Sequence, residues 1–288
     1  MGAMNNDTER DVFAHIQHES GDGAALRADR LADALRTVAP LRKVFVQRQN
    51  TESERPSLLG KMVRARAVLP LRTFLLVHAL EPVLEPWPLG TWAKLVGGTS
   101  AHPPSTEAVS RAFNSLVNLK LVERAPVGNG VRITPLLEDG SGRPFERASG
   151  KDAEVGPGYL VIPDVFWTSG LADRLKLPGL AMFLVALHET TQEQTYQIAL
   201  ERMAEWYGIS ERTAERGYLE LSKEQLLLTH TQWVRDRKMR TPKGLVPRVH
   251  RALASPYSKA ARDEAQAKNR KAARKAAAGA TTAAAPPA

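Results

Sequence analysis

The chain has no cysteine among its 288 residues. Disulfides and thiolate metal sites are therefore excluded, and a secreted disulfide scaffold with them. It has no apolar run approaching the roughly 20 residues needed to cross a bilayer, so no membrane partner is expected. The polar opening MGAMNNDTER has none of the apolar core of a signal peptide. Catalytic signatures are also missing. The seven histidines are scattered without a metal spacing beside carboxylates. Gly156 and Gly158 flank a proline and form no phosphate-cradling loop, and no serine sits in a nucleophile elbow. The expectation is a soluble, cytoplasmic or nucleoid-associated protein that is not an enzyme and uses no cofactor.

What the sequence does have is positive charge: +9 overall, with a pI near 9.9. A polyanionic partner is implied, most often nucleic acid. The charge is unevenly spread. Lys259, Arg262, Lys268, Arg270, Lys271, Arg274 and Lys275, against Asp263 and Glu264, put more than half of it after residue 258. This Ala/Lys/Arg-rich stretch, 258–288, reads as a disordered phosphate-binding arm or a solubilising terminus. The weight of any nucleic-acid argument therefore falls on the body of the chain.

There, LERMAEWYGISERTAERGYLELSKEQLLL, from Leu200, reads as two helices about a tight turn. Gly208 can take the left-handed conformation that stops the first helix, and Ser210 is placed to cap the second. Ala214, Tyr218 and Leu221 form the apolar stripe of that second helix, leaving Arg212, Thr213, Arg216 and Glu220 outward. Two strands follow, Leu226–His230 and Leu245–His250, about a turn carrying Arg235, Arg237, Lys238, Arg240 and Lys243. A basic hairpin tip of this kind suits phosphate or a minor groove.

The pattern recurs upstream. LPLRTFLLVHAL, from Leu69, matches LPGLAMFLVALH, from Leu177, at an offset of 108. SRAFNSLVNLKLV, from Ser110, matches ERGYLELSKEQLL, from Glu215, at an offset of 105. Ser105 is the candidate cap of the first copy. Val109, Phe113 and Leu116 are its buried stripe, and Thr106, Arg111, Asn114 and Asn118 face outward. Asn129-Gly130 marks a hairpin turn.

The expected organisation is a disordered N-terminus (1–23), a helical segment (24–56), a first winged-helix domain (57–137), a flexible linker (138–158), a second winged-helix domain (159–257) and the basic tail (258–288). The fold class is mainly α with small β-hairpin wings. The helix expected over 24–45, interrupted near Pro40, with Leu26, Leu31, Leu35 and Val38 as its apolar positions, has either the first domain or a second copy of the chain as its partner.

RMAEWYGISERTAERGYLEL followed by a basic hairpin resembles the winged helix-turn-helix domains of bacterial DNA-binding regulators. Two such units in one chain also resemble the initiators of plasmid replication. The resemblance covers roughly residues 58–255 and implies double-stranded DNA as partner, with homodimerisation a further expectation. It implies base reading by Arg212, Thr213 and Arg216, with Arg111, Asn114 and Asn118 in the first copy. Phosphate or minor-groove contacts fall to the cations of the second hairpin. The expected function is a sequence-specific transcriptional regulator. The alternatives are an initiator or maintenance protein binding origin repeats, and a tandem winged-helix adaptor of a chromosome-organising complex.

Overall fold

A computed structural model describes residues 23–34, 37–48, 57–100, 102–146, 158–235 and 244–283. Helices dominate. The strands among the described residues pair into three small antiparallel sheets of two strands each.

The first half carries α1 (Gly23–Asp33), β1 (Val38–Arg42), α2 (Leu58–Arg64), α3 (Val68–Leu80), α4 (Leu89–Gly97), α5 (Thr106–Asn118), β2 (Val122–Val127) and β3 (Gly130–Pro135). The second carries β4 (Tyr159–Pro163), α6 (Val165–Thr168), α7 (Leu171–Arg174), α8 (Leu177–Glu189), α9 (Met203–Tyr207), α10 (Glu211–Lys223), β5 (Leu227–Arg235) and β6 (Leu245–Leu253). A C-terminal helix, α11 (Lys259–Ala283), ends the described chain.

The same order occurs twice: a long helix, a shorter one, a second long one and a hairpin. The long helices α3, α5, α8 and α10 are each 13 residues. Local geometry repeats at the offset of 105. Ser105 Oγ accepts from the Ala108 amide at 3.2 Å and Ser210 Oγ from the Thr213 amide at 3.3 Å, each satisfying an otherwise orphaned helix-start donor. At the far ends, Lys120 (φ 55°) and Gln225 (φ 57°) turn left-handed. The Leu121 amide then reaches Leu116 O at 3.0 Å, and the Leu226 amide reaches Leu221 O at 2.8 Å, the six-to-one closure of a Schellman cap.

Several elements differ from what the sequence suggests. Residues 38–42 continue no helix. Pro40 cannot donate within one, and this stretch instead pairs as β1 with β4, from Val38↔Pro163 to Arg42↔Tyr159. The first hairpin turns at Gly128-Asn129, one residue earlier than Asn129-Gly130. Gly128 alone takes positive φ (56°), as the first centre of a II′ turn requires. Gly130 lies in the strand, paired with Val127, and must be glycine because a Cβ there would sit 2.0 Å from Pro86 O.

Residue 138 does not open a flexible linker. Glu138 is fully buried, accepts from the Arg42 amide at 3.1 Å and has its second oxygen 3.3 Å from Arg42 Nε. Residues 147–157 of the expected linker lie outside the described residues. The tail is helical from Lys259. Its first turns are docked by Arg262, whose guanidinium donates to Thr190 O (2.8 Å), Thr190 Oγ1 (2.7 Å) and Tyr257 O (3.0 Å). Ala is the best helix former, and one buried arginine supplies the anchor that composition alone does not reveal.

Both halves share one contiguous apolar core. It runs from Phe45, Phe74, Trp92 and Phe113 through Ile162 and Phe166 to Phe183, Tyr207 and Leu221. The N-terminal segment joins them. Arg27, on α1, is buried and grips Asp173, at the foot of α7, through Nη1–Oδ1 (2.9 Å) and Nη2–Oδ2 (2.6 Å), while Nη2 also donates to Trp167 O (3.0 Å). Thr99, after α4, adds its amide (3.0 Å) and hydroxyl (2.9 Å) to the same carboxylate. Burial alone pushes the Asp173 carboxyl up, but the Arg27 and Thr99 donors together hold it below its usual range.

Candidate nucleic-acid interface

Helix α10 is seated by its buried stripe. Ala214, Gly217, Tyr218 and Leu221 press against α8. The approach at Gly217 is close enough that a Cβ would meet Met182 Cγ at 2.3 Å and Pro178 O at 2.4 Å. Opposite that stripe, at helical spacing, stand Arg212, Arg216, Leu219 and Lys223. All four are exposed, Leu219 to 63%. The crest is thus three cations about one apolar side chain, and none of the three has an ion-pair partner among the described residues.

Sequence reading missed Leu219 and Lys223. Leu219 falls outside the apolar stripe, and Lys223 lies in the last turn, where a cation is expected for the helix dipole. It also placed Glu220 among the outward residues. In the structure Glu220 accepts from the amides of Lys176 (2.6 Å) and Gly179 (3.0 Å). It caps the start of α8, so it is not offered to a partner.

The equivalent crest on α5 is Glu107, Arg111, Asn114 and Asn118, also exposed. Its formal charges cancel. Asn114 Oδ1 accepts a 2.9 Å bond from Arg124 on β2, which also donates to Ser110 Oγ at 3.0 Å. The first hairpin therefore holds its own helix. Of the predicted readers, Arg111, Asn114 and Asn118 share one crest and Arg212 and Arg216 the other. Thr213 lies to the side, half-buried, with its hydroxyl 2.9 Å from Ser210 Oγ.

The second hairpin is an arm. Nine consecutive residue pairs run from Leu227↔Leu253 to Arg235↔Leu245, and β5 is exposed along most of its length. Leu228, Trp233 and Leu245 stand out on it as exposed apolar side chains. The base of the arm is fixed by Arg251, whose guanidinium lies 4.3 Å over the Tyr218 ring and donates to Ile198 O. Arg235 closes β5 and is exposed. Arg237, Lys238, Arg240 and Lys243, the predicted tip cations, lie outside the described residues.

Beside α10, a cleft of about 650 Å³ opens between the halves, lined by Arg64, Arg66, Arg72, Lys176 and Arg216. Its first-half wall, α2, packs directly on the turn before α10: a Cβ on Gly60 would meet Tyr207 O at 2.3 Å. Away from the cleft, a cluster of polar side chains forms where α8 meets α9. Glu189 accepts from the Tyr207 hydroxyl and lies 3.1 Å from His188 Nδ1. Burial raises the Glu189 carboxyl, yet these partners and the Lys43 charge bring it below its usual range. No cluster of three or more metal-ligating side chains occurs among the described residues.

Comparison of the chain with protein-family models, with curated proteins and with solved structures finds no match.

Proposed function

We propose that the chain is a sequence-specific, double-stranded DNA-binding protein built from two winged helix-turn-helix units, acting as a transcriptional regulator. The observation that carries this reading is the crest of α10. A helix presents Arg212, Arg216 and Lys223 around Leu219, flanked by an exposed arm described as far as Arg235. Arginine gives two parallel donors to a guanine edge, and an apolar side chain suits a thymine methyl. Cations on an adjacent arm add phosphate contacts that fix register without reading sequence.

An initiator or maintenance protein binding origin repeats is the second reading, favoured by the shared core. Two crests held on one body have a fixed separation, which matches two sites at a fixed spacing on one duplex. Selection of bound duplexes from a random library tests both. A single or palindromic motif supports the regulator, and directly repeated motifs support the initiator. Recovery of no preferred sequence would remove both and favour the adaptor reading.

A further inference from the structure

The cleft beside α10 has a composition that reading bases does not call for. Arg64, Arg66, Arg72, Lys176 and Arg216 all line it, and no carboxylate does among the described residues. The carboxylates that act on Arg72, Asp173 and Glu220, are engaged elsewhere, by Arg27 and Thr99 and by two backbone amides. Arg72 is fixed by the backbone: Nη2 donates to Asp173 O (2.8 Å) and Leu175 O (2.9 Å), while its buried Nε has no hydrogen-bond acceptor. The guanidinium is thus preorganised, with the Asp173 and Glu220 carboxylates acting on it only through space and one N–H left unpaired.

Arg66 is exposed and set by a left-handed turn (φ 55°), closed by the Ala67 amide on Met62 O at 2.9 Å. Apolar side chains share the lining with the cations: Val63, Val68, Leu177 and Pro178. Thr213 and Ser210 add hydroxyls to the lining.

We propose that this cleft is a binding site for a small phosphate ester, a molecule with an anionic head for the arginines and an apolar body for the walls between them. Its volume lies in the range of small-molecule sites. Preorganised guanidinium groups suit a phosphate head, which accepts several charge-assisted hydrogen bonds at once.

DNA backbone phosphates share the head-group chemistry but not the rest. A duplex is convex, and its thymine methyls lie in the major groove away from the phosphates, so it does not bring an anionic head and an apolar body together into one concave site. The cations such a surface meets are Arg212 and Lys223 on the crest, outside the cleft. Because Arg216 and Thr213 belong to both the cleft and α10, a bound ester reaches the helix assigned to base reading. That consequence rests on the DNA reading, whereas the site itself does not.

The test is calorimetric titration of the full chain with phenyl phosphate and with inorganic orthophosphate, at constant ionic strength and without DNA. Phenyl phosphate is expected to bind once per chain and more tightly than orthophosphate. Arg66→Ala and Arg216→Ala should each weaken it about tenfold, the scale of one charge-assisted bond. Arg143→Ala, which removes an equal charge from an exposed pair with Asp139, should leave it unchanged.

Equal affinity for the two probes, equal weakening by Arg143→Ala, or no binding would overturn the site. So would a short duplex that loses as much affinity as phenyl phosphate on Arg66→Ala, because the cleft would then be a seat for the DNA backbone. A chain that binds phenyl phosphate as described but binds no DNA would keep this site and end only the DNA reading.

Discussion

Replacing Arg27 by Ala attacks the joint between the two halves. The side chain is 2% exposed and its partner Asp173 6%. The substitution removes two bonds to the carboxylate and one to Trp167 O. Asp173 keeps only the Thr99 donors, with its side chain 6% exposed. Leaving one member of a buried pair uncompensated costs about 3–5 kcal/mol. For a chain of this size that lowers Tm by roughly 6–20 °C, at about 2–4 °C per kcal/mol.

Urea unfolding followed by tryptophan fluorescence and by circular dichroism checks it, because Trp92 and Trp167 are buried in different halves. One core predicts coincident transitions before and after substitution, both moved to lower urea. Replacing the pair together, Arg27→Met with Asp173→Leu, should recover most of the loss, since no charge is then stranded. A loss below about 1 kcal/mol, or two separated transitions, would refute the claim that α1 locks the halves into one cooperative unit.

Deleting residues 259–288 should cost about 1–3 kcal/mol through loss of the Arg262 anchor, whereas ending the chain after Lys271 should leave Tm unchanged; thermal melts of both truncations separate these. Burial lifts the Glu138 carboxyl above its usual range despite the Arg42 amide and guanidinium. The folded state therefore holds that proton more tightly than the unfolded chain, whose value is about 4.3. The stability of wild type relative to Glu138→Gln should fall as pH rises from about 4 through the raised folded value, read as the difference in urea midpoint at pH 4 and pH 7. Asp173 runs the other way: its carboxyl is depressed when folded, so its contribution is present above about pH 4 and is lost as pH falls through the folded value. Changing Arg237, Lys238 and Arg240 together to Ala should leave Tm in place and lower the slope of log affinity against log salt by as many as about three units. An unchanged slope would turn the arm away from DNA.

Much of this was legible in the chain because local signals and burial agree. Ser105 and Ser210 cap where an N-cap is expected, Gly208 turns left-handed (φ 67°), and Phe113 and Tyr218 are buried at matched positions. What escaped was set by distant partners. β1 forms because β4, far along the chain, lies beside it, and a five-residue strand containing Pro40 carries no period of its own. Glu138 and Arg262 are charged side chains in polar surroundings, and such residues read as solvated until a buried partner is seen. Glu220 occupies an outward helical position but turns to cap α8. The cleft has no sequence signature, because its cations come from α2, the turn after it, α3, the turn before α8 and α10.

The central claim is that α10 reads base edges in double-stranded DNA. Titrating wild type and Arg216→Ala against a library-selected duplex and a scrambled one, at the same salt concentration, tests it most directly. The account predicts that the variant loses about 1–3 kcal/mol on the selected duplex and little on the scrambled one, with preference relaxed at a single base pair. Equal loss on both duplexes, or a wild type that does not tell them apart, would contradict it.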